Sequence, residues 1–285
     1  MPALPAEPLP RRFSSAREAA DGLREVAKGL IRAARTALGA ASPHLDDFGQ
    51  DRDLVQQLSP IADFLYDRYW RVTVDGAGAL PEGPAIVVAN HSGALPLDGP
   101  VLRMAIQRCR PDLREARWLL EDPVFYLPAL GLLLNRIGAV RASADNAVRL
   151  LSEGRPLIVF PEGVHGISKT FNDRYQLRPF GRGGFIKIAL RTGAPILPVA
   201  IVGAEESMPV LAKIPANAVG LSHLPLTLPP LPAKWIIRFG APVQLPRALP
   251  ESDAAEVQQW AEHTRRSIQE MLRSLLAARR SAFTG

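Results

Sequence analysis

The chain has 285 residues, 47% of them hydrophobic and 22% charged, which is enough for one large domain or two small ones with a buried core. Its single cysteine, Cys109, excludes an internal disulfide framework and a thiolate metal cluster, and fits a reducing cytoplasm. A net charge of +6 favours polyanionic partners; with no basic–aromatic pattern to read bases, nucleic acid is set aside and an anionic membrane surface is expected.

Residues 1–14 read as a flexible tail, and Met1–Pro10 is proline-rich with no apolar segment of the kind that drives secretion. Residues 15–70 read as N-terminal helices. Across Ser15–Leu38, Leu23, Val26, Leu30, Ile31 and Leu38 recur at helical spacing, with Arg24, Lys28, Arg32 and Arg35 on the opposite flank. That pattern suits an interfacial membrane helix or a helix packed on the domain with its cations solvated. A second helical stretch, Asp51–Trp70, is expected to break at Pro60.

From residue 71, strands and helices alternate. Arg71–Val74, Ala85–Val88, Ala116–Leu120, Pro156–Phe160, Pro195–Val202 and Lys234–Phe239 read as strands. Asp98–Arg110, Ser143–Ser152 and Gly183–Thr192 read as helices between them. The alternation predicts an α/β fold with helices on the faces of a sheet. A final helix, Asp253–Arg280, opens on an Asp253/Glu256 capping pair and carries Val257, Trp260, Ile268, Met271, Leu272 and Leu275 on one stripe. The uncharged stretch Ile214–Ala233 is long enough to span a bilayer, but its five prolines forbid a lipid-exposed helix. Its Leu221–Pro232 part reads as a leucine-rich loop that either inserts shallowly into lipid or caps the core.

The densest chemical signal is NHSGALPLDGP, Asn90–Pro100, which follows the apolar run Ala85–Asn90. A histidine where a buried strand opens into a loop is well placed for catalysis, and a carboxylate on one ring nitrogen leaves the other free as a base. His91 and Asp98 are the candidates. Taken alone, the pair reads rather as a turn-capping histidine followed by a helix-opening aspartate.

The wider pattern resembles the glycerolipid acyltransferases, the lysophosphatidic acid acyltransferase superfamily. Four blocks stand in that family's order: NHSGALPLD at Asn90–Asp98, GAVRAS at Gly138–Ser143, VFPEGVHG at Val159–Gly166 and APILPVAIVG at Ala194–Gly203. Together they cover residues 71–243, which the resemblance makes the acyltransferase core, with residues 244–285 as a C-terminal helix. It implies a single α/β domain whose mixed, mostly parallel sheet is flanked by helices. It also implies acyl transfer from acyl-CoA or acyl carrier protein to a hydroxyl of a lysophosphatidic acid or lysophospholipid acceptor, or alternatively of a neutral mono- or diacylglycerol, without metal, cofactor or acyl-enzyme. By the same carry-over His91 is the base and Asp98 its orienting partner. Glu162 contacts acceptor hydroxyls, Gly163 and Pro195 lie on the substrate side, and Arg141 meets a phosphate or headgroup. Lys169, Arg174, Arg178 and Arg182 follow as solvated charges or, jointly, as an anionic headgroup clamp. The amide after Asn90 and those near Gly93 are candidate oxyanion donors.

One departure is informative. The family leaves four residues between the histidine and the aspartate; here six intervene, Ser92–Leu97, which places the chain nearer the monoacylglycerol and diacylglycerol acyltransferase-like branch. A lipid hydrolase and a non-catalytic membrane-binding protein remain as other readings. No G-x-S-x-G elbow is present, GRGGFIK lacks P-loop and dinucleotide spacing, and His44, His91, His165, His223 and His263 lack zinc-ligand spacing. The expected location is cytoplasmic, peripheral on the inner face of the cell membrane.

Overall fold

The computed structural model describes residues 24, 28, 29, 31 and 39, and residues 44–283 except 92–94, 126, 128, 217–220 and 247–248. The expected tail over 1–14 lies outside these residues. So does most of the Ser15–Leu38 helix, of which residues 24, 28, 29 and 31 are described and helical.

Helix α1 (Arg52–Asp63) starts where the side chain of Asp51 accepts the amides of Asp53 and Leu54, both at 3.1 Å, and it buries Leu54. The expected break at Pro60 does not occur. The helix runs through the proline and widens into a π-helical segment, Phe64–Tyr69. Proline deprives only the Gln56 carbonyl of its partner, and both residues are exposed, so water can take the place of the missing N–H. Trp70 then stacks on Trp235 with ring centroids 4.9 Å apart, tying this N-terminal arm to the sheet.

Seven strands form one sheet: β1 (Thr73–Asp75), β2 (Ile86–Ala89), β3 (Arg117–Leu120), β4 (Ala139–Arg141), β5 (Leu157–Val159), β6 (Ile196–Val202) and β9 (Ile236–Phe239). Their spatial order is β1-β9-β6-β2-β5-β3-β4, and every neighbouring pair is parallel except β6–β9. Strands β2 and β6 are buried along their whole length, as a sheet covered on both faces requires. Their side chains alternate between two cores. Val87 and Ala89 join the layer holding Leu102, Ile106, Tyr66 and Trp70; Ile86 and Val88 join Leu150, Phe185 and Ile268 on the other face.

The first core is built with α2 (Asp98–Cys109), and the second with α3, which here denotes Ala144–Ser152, α4 (Gly184–Thr192) and α5 (Ala254–Ala278). Ser143 caps α3 through Asn146 N, at 3.1 Å. Asp253 caps α5 through the amides of Ala255 and Glu256, at 3.1 and 3.0 Å. Strands β4, β7 (Val210–Ala216) and β8 (Leu221–Thr227) were not anticipated, nor were the short helices Asp122–Phe125, Leu130–Arg136, Val164–Ile167 and Ala204–Ser207. Strand β4 is three residues of the second block. The stretch read as a leucine-rich loop holds instead the second strand of a hairpin, β7 with β8, because pairing satisfies backbone groups that a loop would leave to solvent. Among the described residues no helix is long and apolar enough to cross a membrane.

Because β2, β5, β3 and β4 run parallel, they all deliver their C-terminal ends to one edge. The four connections leaving that edge begin near His91, Glu162, Glu121 and Arg141.

Candidate active site

Strand β2 ends with a side-chain rung. Asn90 donates through Nδ2 to the Ile201 carbonyl at 3.0 Å and accepts the Ile201 amide on Oδ1 at 2.7 Å, both wholly buried. His91 follows and is buried. Its Nδ1 lies 2.6 Å from Asp98 Oδ2, and Asp98, the first residue of α2, is completely inaccessible. Asp98 also accepts the Gly99 amide on Oδ1 at 3.0 Å, so the carboxylate is fixed at both oxygens. The longer spacing therefore still closes on the histidine. With Nδ1–H donated to Asp98, Nε2 is the nitrogen left to take a proton. The imidazole lies against Phe160, ring centroids 4.6 Å apart and planes 20° from parallel, which sets the ring plane.

Glu162 holds the histidine from behind. The His91 amide donates to Glu162 Oε1 at 2.9 Å, and the Arg178 amide donates to Oε2 at 2.7 Å. The Lys169 ammonium donates to Oε2 at 3.2 Å. Glu162 stands at the carboxyl edge of the sheet, as expected, but it is buried there and its carboxylate is occupied by protein donors. This also removes the His91 amide from the candidate oxyanion donors, and Gly93 lies outside the described residues. Gly166 brings the following turn against this cluster: a Cβ there would stand 2.6 Å from the Cβ of His91 and 2.9 Å from that of Glu162. At Gly163, φ is +55°, so the position needs glycine for its conformation, and the Glu121 carboxylate packs against it.

The network extends inward. Lys169 also pairs with Glu205 at 3.1 Å, and Glu205 accepts the Tyr175 amide at 3.0 Å. Burial pushes the Glu205 carboxyl up to about 7 against the pull of Lys169. The Tyr175 hydroxyl donates to Glu206 and accepts the Gly203 amide at 2.8 Å, while Arg279, just past α5, pairs with Glu206 at 2.5 Å. Burial, with Glu206 alongside, holds the Tyr175 phenol well above its ordinary range.

The other candidates are dispersed. Arg141 sits at the end of β4, three strands from β2 or about 14 Å sideways, and both its arms bond Asp122 at 2.5 and 2.6 Å. Lys169 is an internal cation, the Arg174 guanidinium lies 4.3 Å over the Phe171 ring, and Arg178 pairs with Asp173 at 3.0 Å. Arg182 lines a groove of about 390 Å³ that also borders Phe160. The basic string thus forms no single clamp. Pro195 stands at the opposite edge of the sheet, its carbonyl accepting the Ile86 amide at 2.9 Å, and the structure does not bring it to the dyad.

An acyltransferase family model matches residues 71–202. The chain is 40% identical over 257 residues to an uncharacterized protein of Mycobacterium tuberculosis, covering 85% of this chain and 72% of that one. The chain belongs to the glycerolipid acyltransferase superfamily. This acyltransferase is also 29% identical over 128 residues to a mouse protein named DGAT1/2-independent enzyme synthesizing storage lipids, covering 44% of this chain and 37% of that one. It shares its fold with the 1-acyl-sn-glycerophosphate acyltransferase PlsC of Thermotoga maritima, with a TM-score of 0.54 at 20% identity over 90% of both chains. Within the acyltransferase site, Phe160, Gly166, Glu205 and Tyr175 were not singled out from sequence. The pair Glu205–Glu206, embedded in an apolar run that starts at Ala194, carried a readable signal: adjacent acids in a buried stretch need partners.

Proposed function

We propose that this acyltransferase moves a fatty acyl group from an acyl-CoA or acyl carrier protein thioester to a hydroxyl of a glycerolipid, working from the membrane surface. The observation that carries the reading is the buried 2.6 Å contact between His91 and Asp98 at the C-terminal edge of a parallel sheet. Nε2 of His91 accepts the hydroxyl proton as the oxygen attacks the thioester carbonyl. The C–O bond forms, the C–S bond breaks, and the imidazolium returns its proton to the departing sulfur, giving an ester and a free thiol. Asp98 stabilises the imidazolium between these steps. The groove beside Phe160, lined by Val159, Phe180, Phe185 and Ile188, offers apolar cover for an acyl chain.

A neutral acceptor, a mono- or diacylglycerol, has specific support. Arg141, the cation that the family resemblance sets against a phosphate, is already balanced by Asp122. The test is to incubate purified protein with acyl-CoA or acyl carrier protein donors and a panel of monoacylglycerol, diacylglycerol, lysophosphatidic acid and lysophosphatidylcholine. Mass spectrometry should find ester and free thiol in equal amounts, absent in His91→Ala. Release of free fatty acid independent of any acceptor would overturn transfer in favour of hydrolysis. Arg141→Ala should leave KM for monoacylglycerol unchanged; a rise confined to lysophosphatidic acid would reassign Arg141 to a phosphate and the chain to phosphorylated acceptors.

A further inference from the structure

The β7–β8 hairpin leaves the body of the protein beside the dyad. It follows β6, which pairs in parallel with β2, so both strands end at the same edge of the sheet. At its base, Met208 and Val210 line one small cavity with Glu205 and with Gly166, Lys169 and Phe171 of the loop that holds His91. Beyond that base β7 is open on both faces. Leu211, Ala212, Lys213, Ile214 and Pro215, successive residues of β7, are all exposed. Leu211 is 56% exposed, Ile214 48%, Leu226 46% and Leu228, just past β8, 42%. Two-stranded hairpins are at best marginally stable in water without a hydrophobic partner, and contiguous aliphatic exposure marks a binding surface.

We propose that this hairpin inserts shallowly at the boundary between the headgroups and acyl chains of a lipid leaflet, bringing the His91 edge down onto the membrane. The proposal rests on the glycerolipid acyltransferase reading above and deepens it. Three features point to lipid. From Val210 to Ala233 the sequence holds no aspartate or glutamate, and Lys213 lies between Leu211 and Ile214, suited to reaching headgroup phosphates while its neighbours enter the leaflet. Pairing of β7 with β8 satisfies the backbone groups that face the partner strand, and shallow insertion leaves the outer-edge groups within reach of headgroup water. Pro215 and Pro225 lie within the paired strands and lack N–H groups, which blunts both edges against addition of a strand from another protein molecule. The site beside the hairpin acts on lipids, whose hydroxyls lie at the depth such an insertion would reach.

The experiment uses the full chain with vesicles of equal parts phosphatidylcholine and phosphatidylglycerol at low and high salt. Wild type should sediment with vesicles. The variant carrying Leu211→Ser, Ile214→Ser, Leu226→Ser and Leu228→Ser should lose at least about tenfold in partitioning at either salt, with its melting temperature and its turnover of a water-soluble short-chain monoacylglycerol unchanged. Should that variant not fold, Leu226→Trp decides: its emission should be quenched by vesicle lipids carrying bromine on the acyl chains. Undiminished sedimentation of the serine variant, or absence of quenching, overturns the proposal. So does a wild-type dimer that the serine variant dissociates while vesicle binding persists, which would make a second copy the occupant. If quenching occurs but wild type acylates neither soluble nor membrane acceptors, the hairpin assignment stands and the catalytic reading fails.

Discussion

At His91 three degrees of freedom are removed by three different neighbours. Asp98 sets the tautomer, Phe160 sets the ring plane, and Glu162 grips the backbone amide. Only the first is chemical in the narrow sense; in the proposed mechanism the others keep Nε2 where a hydroxyl would meet it, and misplacement by about 1 Å costs on the order of 100-fold in rate. Asp98→Asn keeps the volume but replaces an acceptor-only group by one that can donate to Nδ1 and invert the tautomer. Its kcat is expected to fall by roughly 10²- to 10⁴-fold with KM little changed and the melting temperature within a few degrees of wild type. Steady-state kinetics beside a thermal melt check this; near-normal turnover would reduce Asp98 to a helix-opening residue. His91 and Asp98 were legible because their chemistry is local to one motif. Phe160 was not, since a phenylalanine ending an apolar strand reads as core.

The segment from Pro161 to Arg178 shows how an element can serve a single side chain. Its two glycines allow close approach, its Lys169 neutralises Glu162, and its Arg178 amide closes on the same carboxylate. Gly166 is not in the left-handed region, so replacing it by alanine strains contacts rather than backbone. Gly166→Ala should destabilise by about 1–3 kcal/mol through overpacking and lower kcat by tenfold or more, by displacing His91. Chemical denaturation paired with single-turnover kinetics would check it. An alanine variant with full activity would mean the turn can move away from the histidine without consequence. The four-block resemblance located this segment, yet it cast Glu162 as a ligand contact. The structure surrounds that carboxylate with protein donors, which a sequence does not show: it reveals that an acid follows a strand but not which amides surround it.

Across the whole molecule, the sheet separates two apolar cores, and the polar network from Glu162 to Arg279 crosses from the active edge to the C-terminal helix. Glu205 makes this network pH-sensitive. Its folded pKa is raised from 4.5 to about 7, so the folded state retains a proton that the unfolded chain has already released. Stability from this group therefore falls as pH rises between about 4.5 and 7, by at most about 3 kcal/mol above that window. Glu205→Gln, always neutral, should match wild type near pH 5 and be the more stable protein near pH 8, as urea unfolding at the two values would show. A stability difference that does not change with pH would mean Lys169 keeps Glu205 ionised throughout.

By itself, the sequence determined the α/β alternation, most strand and helix positions, the order of the four blocks and the two residues of the dyad. Period, capping residues and motif spacing are local properties, written in consecutive positions. Tertiary structure decided the rest. The continuation of α1 through Pro60 depends on the solvent exposure of Gln56, and the pairing of β7 with β8 depends on register across a proline-rich stretch. The dispersal of Lys169, Arg174, Arg178 and Arg182 is likewise unreadable in a string where they stand close together. Whether a charge faces solvent, a carboxylate or a substrate depends on which distant backbone groups arrive beside it, and only packing of the sheet and its loops determines that.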